Sequence, residues 1–118
     1  MSSRSEKLQE RLAAFAADVD VLINGLPKDI SGQNIARQLA RCSTSPLSNY
    51  CEACEAESTA DYIHKVKVAL KELRETRGWI VYIGKRSRGA LDVSALLKES
   101  DELISILVTC VKRARGDE

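Results

Sequence analysis

The most regular helical pattern in the chain lies in residues 62–80, YIHKVKVALKELRETRGWI. Its core-facing side chains recur every three or four residues, the spacing that places them on one face of an α-helix. They are Tyr62, Val66, Ala69, Leu73, Thr76 and Ile80. A capping signal at residues 58–61 precedes this stripe. The pattern predicts a long helix that closes near Ile83 and Gly84.

A second stripe with the same spacing precedes it, from Leu8 to Leu22. Ser3 and Glu6 have the spacing of a capping box, in which each side chain satisfies an exposed amide of the first helical turn. Gly25 suits the left-handed position that commonly ends a helix. These signals predict the first helix.

The segment between these helices carries a stripe from Ile35 to Ala53, with Asp29 or Ser31 as its cap. Pro46 interrupts it, and an interior proline removes one backbone hydrogen bond and crowds the preceding turn. We therefore expect a kink or break over residues 43–48. Because the apolar period continues unchanged past Pro46, one bent helix is favoured over two separate helices.

Residues 84–89 are predicted to form a loop, and the last helix is predicted to begin at a cap on Asp92 or Ser94 and to end at Gly116. Its apolar residues cover more than one stripe, which indicates burial on two sides. They are Leu96, Leu97, Leu103, Ile104, Ile106, Leu107, Val108, Cys110 and Val111.

Four amphipathic segments joined by short loops predict an all-α, antiparallel, up-and-down four-helix bundle whose second helix is kinked near Pro46. The 118 residues have room for one domain, so we expect a single domain over residues 1–118.

The composition of 44% hydrophobic and 30% charged residues is typical of a globular protein. Eighteen basic and 17 acidic residues give a net charge of +1, which provides no bulk argument for binding nucleic acid or an anionic membrane. No apolar run reaches the roughly 20 residues of a membrane span, and the N-terminus lacks the apolar segment of a signal peptide. We expect a cytoplasmic protein that does not contact membranes.

The four cysteines are expected to be reduced thiols. Cys51 and Cys54 have a C-x-x-C spacing, but a zinc site needs about four ligands, and a redox pair needs a helix N-terminus that follows a strand. Small core cysteines are the favoured interpretation. His64 has no companion nucleophile and is expected on the surface. We expect no cofactor, no metal and no catalytic site.

Four polar residues on helices 2 and 3 are predicted to lie inward or at a helix seam: Arg41, Asn49, Glu52 and Glu75. A buried carboxylate needs a partner, and Arg41 is the obvious one. The cluster is either a polar site within the bundle or a network that fixes helix register, and we favour the network.

Basic residues concentrate at one predicted end of the bundle. The loop cations Lys28, Lys85, Arg86 and Arg88 lie there, and Arg74 and Arg77 are expected nearby. This end provides a candidate RNA-binding surface. Alternatively, its cations complement the dipole of helix 3 and keep the loop solvated.

Two segments resemble a known family. Residues 38–41 (QLAR) and 45–53 (SPLSNYCEA) are similar to the helix-2 signature of the bacterial four-helix-bundle family named for the 23S ribosomal RNA intervening sequence. Residues 62–63 (YI) and 68–75 (VALKELRE) are similar to its helix-3 signature. The resemblance implies a four-helix bundle, commonly a homopentameric ring. A related group, the accessory proteins of diversity-generating retroelements, associates with RNA and a reverse transcriptase.

These observations favour a non-enzymatic, oligomeric scaffold or interaction protein. We expect its subunit contacts on the wide apolar face of helix 4 and on helix 1. The alternative is binding of RNA or a ribonucleoprotein through the basic loop end.

Overall fold

The computed structural model describes residues 3–116, and these residues form four α-helices. Helix α1 spans Arg4–Asn24, α2 spans Ile30–Cys54, α3 spans Thr59–Arg86 and α4 spans Ser94–Arg115. The described part of the chain contains no β-strand. The predicted all-α four-helix fold is therefore confirmed.

Each helix packs against two others, in the order α1, α2, α3, α4 and back to α1. The ion pairs between α2 and α3 show how their ends meet. Asp29, the N-cap of α2, contacts Arg86 at the end of α3, and Glu52 near the end of α2 contacts Lys65 near the start of α3. Both pairs join the beginning of one helix to the end of its neighbour, so α2 and α3 run in opposite directions.

The core is a continuous apolar cluster to which all four helices contribute. Its largest fully buried aliphatic and aromatic side chains are Leu12, Phe15, Val19, Ile35, Leu39, Val66, Leu73, Ile80, Ile83, Leu103 and Leu107. Two buried hydroxyls are satisfied within their own helices, since Thr76 donates to the Glu72 carbonyl and Ser100 to the Leu97 carbonyl, both at 2.8 Å. No helix within residues 3–116 combines the length and apolar character that crossing a bilayer requires.

Helix α2 continues without interruption through Pro46, whose side chain is buried. The interpretation as one helix is correct, and the alternative of a break at residues 43–48 is wrong. The kink at Pro46 stays a prediction.

The helix ends confirm some capping predictions and correct others. Ser3 and Glu6 form the capping box, with N–H to side-chain oxygen distances of 3.1 and 3.2 Å. Asp29 caps α2. Gly25 is right-handed at φ −91°, not left-handed, because its N–H and that of Leu26 close the last turn of α1 on carbonyls three residues back.

Helix α3 runs through Gly84 to Arg86, so the predicted end near Ile83 is too early. A Cβ at Gly84 would lie 3.0 Å from Cγ2 of Val93, and the glycine therefore lets the buried Val93 pack closely on α3. Val93 is the N-cap of α4 and makes no side-chain cap. The predicted cap residues still act together, since the Asp92 carboxylate accepts from the Ser94 N–H at 3.0 Å.

The turn from α1 to α2 depends on Gly32. A Cβ on this residue would lie 1.8 Å from the carbonyl oxygen of Pro27, which no side chain tolerates. The Gly32 N–H donates to the Asp29 carboxylate at 2.7 Å, so the cap and the close approach occupy the same turn.

We predict that Gly32→Ala destabilises the protein by about 1–3 kcal/mol or more, because either the Pro27 carbonyl or the start of α2 must move. Gly78 provides the matched control, since it lies inside α3 with open space where a Cβ would project. Gly78→Ala should stabilise the protein by about 0.5–1 kcal/mol through helix propensity. Urea unfolding followed by circular dichroism measures both, and equal effects of the two variants would contradict this account of the turn.

Candidate functional site

Arg41 is the centre of an ion-pair cluster on the seam between α2 and α3. Its Nη1 atom donates to Glu72 at 2.9 Å, and its Nη2 atom donates to Glu75 at 2.5 Å. Gln38 accepts a longer bond from Nη2 at 3.5 Å. One guanidinium therefore ties α2 to two successive turns of α3, a geometry that its planar fork favours.

Two aromatic residues continue this cluster along α3. The indole N–H of Trp79 donates to the Glu75 carboxylate at 3.2 Å. The Trp79 and Tyr82 rings meet edge to face, with centroids 6.0 Å apart and planes at 88°. The Arg41 guanidinium and, secondarily, the Trp79 N–H lower the pKa of Glu75, although its own desolvation opposes them. Glu75 is therefore held as a carboxylate by partners from both helices.

The structure brings only two of the four predicted network residues together. Arg41 and Glu75 pair, but Asn49 donates to the carbonyl and hydroxyl oxygens of Ser45 in its own helix, both at 3.0 Å. Glu52 is exposed and pairs with Lys65 at 2.7 Å. The single buried network is thus corrected to three separate contacts. Glu52 lies three turns along α2 from Arg41, and each residue finds a nearer partner.

Ion pairing divides the predicted basic end. Arg86 donates to Asp29 at 2.5 Å, and Arg77 donates to Asp101 of α4 at 2.6 Å. Arg77 lies nine residues before the end of α3, about 13 Å along its axis. The structure therefore places Arg77 and Arg86 between helices. Lys28 and Arg88 are exposed in the loops, and Lys85 is exposed in the last turn of α3.

Arg74 belongs to a different arrangement, on the outer face of α3. Exposed residues recur there every three or four positions: Lys67, Lys71, Arg74, Gly78, Tyr82 and Lys85. We call the four cations Lys67, Lys71, Arg74 and Lys85 the α3 cationic stripe. Among residues 3–116, none of the four forms an ion pair. The stripe extends for about 27 Å along the helix.

The sequence reasoning missed Lys67, Lys71 and Tyr82 as candidate binding residues. A signal for them was present, since positions 67, 71 and 74 have the spacing of four and three that defines one helical face. That spacing is offset from the apolar stripe of the same helix, so these residues had to face away from the core. They were missed because the cations were grouped by the loop in which they lie and not by the helical face that they share.

The two sides of α4 face different helices. Glu99 and Glu102 contact Arg11 of α1 at 2.5 and 3.2 Å, whereas Asp101 contacts Arg77 of α3. Ile106 and Cys110 continue the side of Glu102, and Leu97, Ile104 and Val108 continue the side of Asp101; all five are half-buried against the core. Contacts with α1 and α3 of the same chain therefore explain why the apolar surface of α4 is wide.

The large apolar side chains that remain exposed lie elsewhere. Ile30 is 89% exposed, Val21 73% and Tyr82 45%. None of them belongs to α4, but Val21 lies on α1, and α4 and α1 are the two helices on which the sequence had placed the subunit contacts.

The cysteines occupy different environments. Cys42 is buried, and burial raises the pKa of its thiol. Cys51 and Cys110 are half-buried, whereas Cys54 is exposed and its sulfur accepts from the Gln9 amide at 3.6 Å, so the interpretation as core cysteines fails for Cys54. All four are free thiols.

Other titratable groups show little sign of reactive chemistry. His64 is exposed, as expected. Burial raises the pKa of Tyr62 to about 12, and that of Tyr50 as well, so both phenols stay protonated at neutral pH. Within residues 3–116, no three His, Cys, Asp or Glu side chains converge where they could hold a metal ion.

Comparisons with known proteins agree with this architecture. A family model described as 23S rRNA-intervening sequence protein matches residues 6–109. A crystal structure of a protein of unknown function from the S23 ribosomal protein family of Bacteroides thetaiotaomicron is similar, with 26% sequence identity and a TM-score of 0.81. The similarity covers 93% of this chain and 99% of that one. Among curated proteins, none matches this chain.

We predict a pH-dependent contribution of Glu75 to stability. Its pKa lies below the ordinary 4.5, so the contribution is fully present above about pH 4.5 and is lost as the pH falls through the lowered pKa. At neutral pH, Glu75→Gln should reduce the free energy of unfolding by about 0.2–1 kcal/mol, the range of solvent-screened pairs. The deficit should shrink in acid.

Urea unfolding at pH 7 and in acid measures this difference. Glu55→Gln is the control, because Glu55 is exposed and forms no ion pair within the described residues. A Glu75→Gln deficit that stays constant with pH would show that the charge of Glu75 is not the cause.

Proposed function

The chain belongs to the family of 23S rRNA-intervening sequence proteins, and we propose that it is a non-enzymatic interaction module that binds RNA through the α3 cationic stripe. The carrying observation is that four cations share one exposed helical face and no acid of the described chain pairs with them. The sequence alone favours an oligomeric scaffold as the function, with RNA binding as the alternative. The α3 cationic stripe makes RNA binding the favoured function.

The spacing of the stripe suits a polyanion. Lys67, Lys71 and Arg74 lie on successive turns, which rise about 5.4 Å each. Cations held at fixed intervals along a rigid helix can neutralise several phosphates at once, and the release of condensed counterions then favours binding. Lysine, a compact charge on a flexible stem, contacts phosphates without reading sequence.

Tyr82 adds a contact of a different kind. Its ring is 45% exposed and lies on the stripe between Arg74 and Lys85, and the edge-to-face contact with Trp79 supports it. Unpaired bases stack on aromatic side chains flanked by cations, which is the usual way proteins bind single-stranded RNA. The proposed ligand is therefore single-stranded or looped RNA. The family description, which names 23S rRNA, supports the same class of ligand.

A role without catalysis is supported by the positions of the acids. The carboxylates that pair with arginine lie on helix seams, where each connects two helices: Glu72, Glu75, Glu99, Glu102, Asp101 and Asp29. Their geometry therefore serves to hold the helices of the bundle together.

We predict that the triple change Lys67→Gln, Lys71→Gln, Arg74→Gln weakens binding of a fluorescent single-stranded RNA by at least about tenfold at low salt. Each lost phosphate contact lowers the slope of log K against log salt by about 0.7, so the triple variant should lose about 2 units of slope. Fluorescence anisotropy across a salt series measures both.

The matched control changes three exposed cations on other helices, Lys7, Arg37 and Lys98, to glutamine. It removes the same net charge, and it should keep most of the affinity and the slope. Equal losses in the two triple variants would indicate a general charge effect, and no binding by the unchanged protein at low salt would refute the proposal.

A second candidate role is assembly into a homo-oligomer, which two aliphatic side chains favour. Ile30 and Val21 are 89% and 73% exposed, and no other large aliphatic side chain of the described chain is exposed. The family resemblance implies a ring, commonly of five copies. A contact between copies that covers Ile30 would remove the largest of these exposures from water.

We predict that Ile30→Ser shifts the protein from oligomer to monomer if Ile30 lies at the contact between copies. Size-exclusion chromatography with light scattering measures the mass directly. Ala60→Ser is a control, since Ala60 is also exposed in the first turn of a helix but presents no large apolar side chain. A monomeric unchanged protein at micromolar concentration would end this second role.

A further inference from the structure

The two loops at the basic end enclose a pocket of about 280 Å³. Its walls are mainly apolar and come from both loops and the end of α3: Leu26, Pro27, Ile83, Ala90, Leu91 and Arg86. The volume is near the lower limit of ligand sites in proteins, and one charged side chain among apolar walls is their usual composition.

Arg86 is the unusual member of this lining. Its Nη2 atom donates to Asp29, but its Nη1 atom is buried and has no hydrogen-bond acceptor. Nη1 is the one buried side-chain nitrogen or oxygen in residues 3–116 with no partner. A buried donor on a charged group without an acceptor is rare, and it commonly indicates a missing water, ion or ligand.

The two acids of the loops already have other partners. The Asp29 carboxylate already accepts from Arg86 Nη2 with one oxygen and from the Gly32 N–H with the other. The Asp92 carboxylate accepts from the N–H and hydroxyl of Ser94. The other charged side chains of the two loops and of the last turn of α3 are the cations Lys28, Lys85 and Arg88. The local charge therefore favours an anion.

We propose that this pocket binds a small amphipathic carboxylate. The aliphatic or aromatic part of the ligand lies against Leu26, Ile83 and Leu91, and its carboxylate accepts from the Arg86 guanidinium. The carboxylate of the ligand is bound by Arg86, which lines the pocket and is not one of the four cations of the α3 cationic stripe. Neither proposal depends on the other.

Octanoate is the probe, and the test is an NMR titration of the backbone amides. Octanoate should shift the amides of the pocket lining, and octanol, which has the same apolar chain without the charge, should bind at least about tenfold more weakly. Arg86→Met should weaken octanoate binding by about tenfold or more, since it removes a charge-assisted hydrogen bond and keeps an unbranched side chain. Lys85→Met, which removes a neighbouring cation outside the pocket, should change affinity less than about twofold.

Two further variants keep the test valid if Arg86→Met unfolds. Ala90→Phe fills the pocket from an exposed loop position and should abolish binding while Arg86 remains. Asp29→Asn frees the guanidinium and should preserve or tighten binding. Equal affinity for octanol, unchanged affinity in Ala90→Phe, or no shifts in the lining amides at millimolar octanoate would each overturn the proposal. The stripe variant Lys67→Gln, Lys71→Gln, Arg74→Gln should bind octanoate normally.

Discussion

The turn between α1 and α2 constrains the arrangement of the whole basic end. The chain can bring α2 alongside α1 only where the Pro27 carbonyl approaches residue 32 without a Cβ. In that turn the Asp29 carboxylate caps α2 and also holds Arg86 of α3, and these two contacts lower its pKa, that with Arg86 contributing most. One carboxylate therefore sets the position of two helices. The loop pocket is formed by the same turn.

A net charge of +1 conceals how the charges are distributed. Ion pairs lie on three of the four helix seams: Arg11 with Glu99 and Glu102, Arg41 with Glu72 and Glu75, and Arg77 with Asp101. Acids on the seams are neutralised by their partners, whereas none of the cations of the α3 cationic stripe forms an ion pair within residues 3–116. A chain that is close to neutral overall can thus present a strongly basic face, because solvent and ligands meet only the charges that the bundle leaves unpaired.

The sequence predicted the features that depend on local periodicity. The four helices follow from the spacing of apolar residues, and the Ser3 capping box and the Asp29 cap follow from the chemistry of the first helical turn. The sequence alone therefore predicts all of them. The predicted end of α3 was too early because Gly84 lies inside the helix, where it packs closely against Val93 nine residues later, and does not end it. The four-residue polar network was wrong for a related reason. Arg41 and Glu52 lie three turns apart on the same helix, so each pairs with the residue of α3 opposite it, Glu75 and Lys65 respectively.

Residue type separates the seams from the outer face more clearly than position does. Five cations form the interhelical ion pairs seen within residues 3–116, and four of them are arginines, of which Arg11 and Arg41 each bind two carboxylates. A planar guanidinium can satisfy two acceptors at fixed angles, which suits a seam where both helices are rigid. Three of the four cations of the α3 cationic stripe are lysines, whose mobile point charge suits a partner of variable geometry. Arginine therefore predominates where both partners are rigid, and lysine predominates on the face that the proposed RNA ligand would contact.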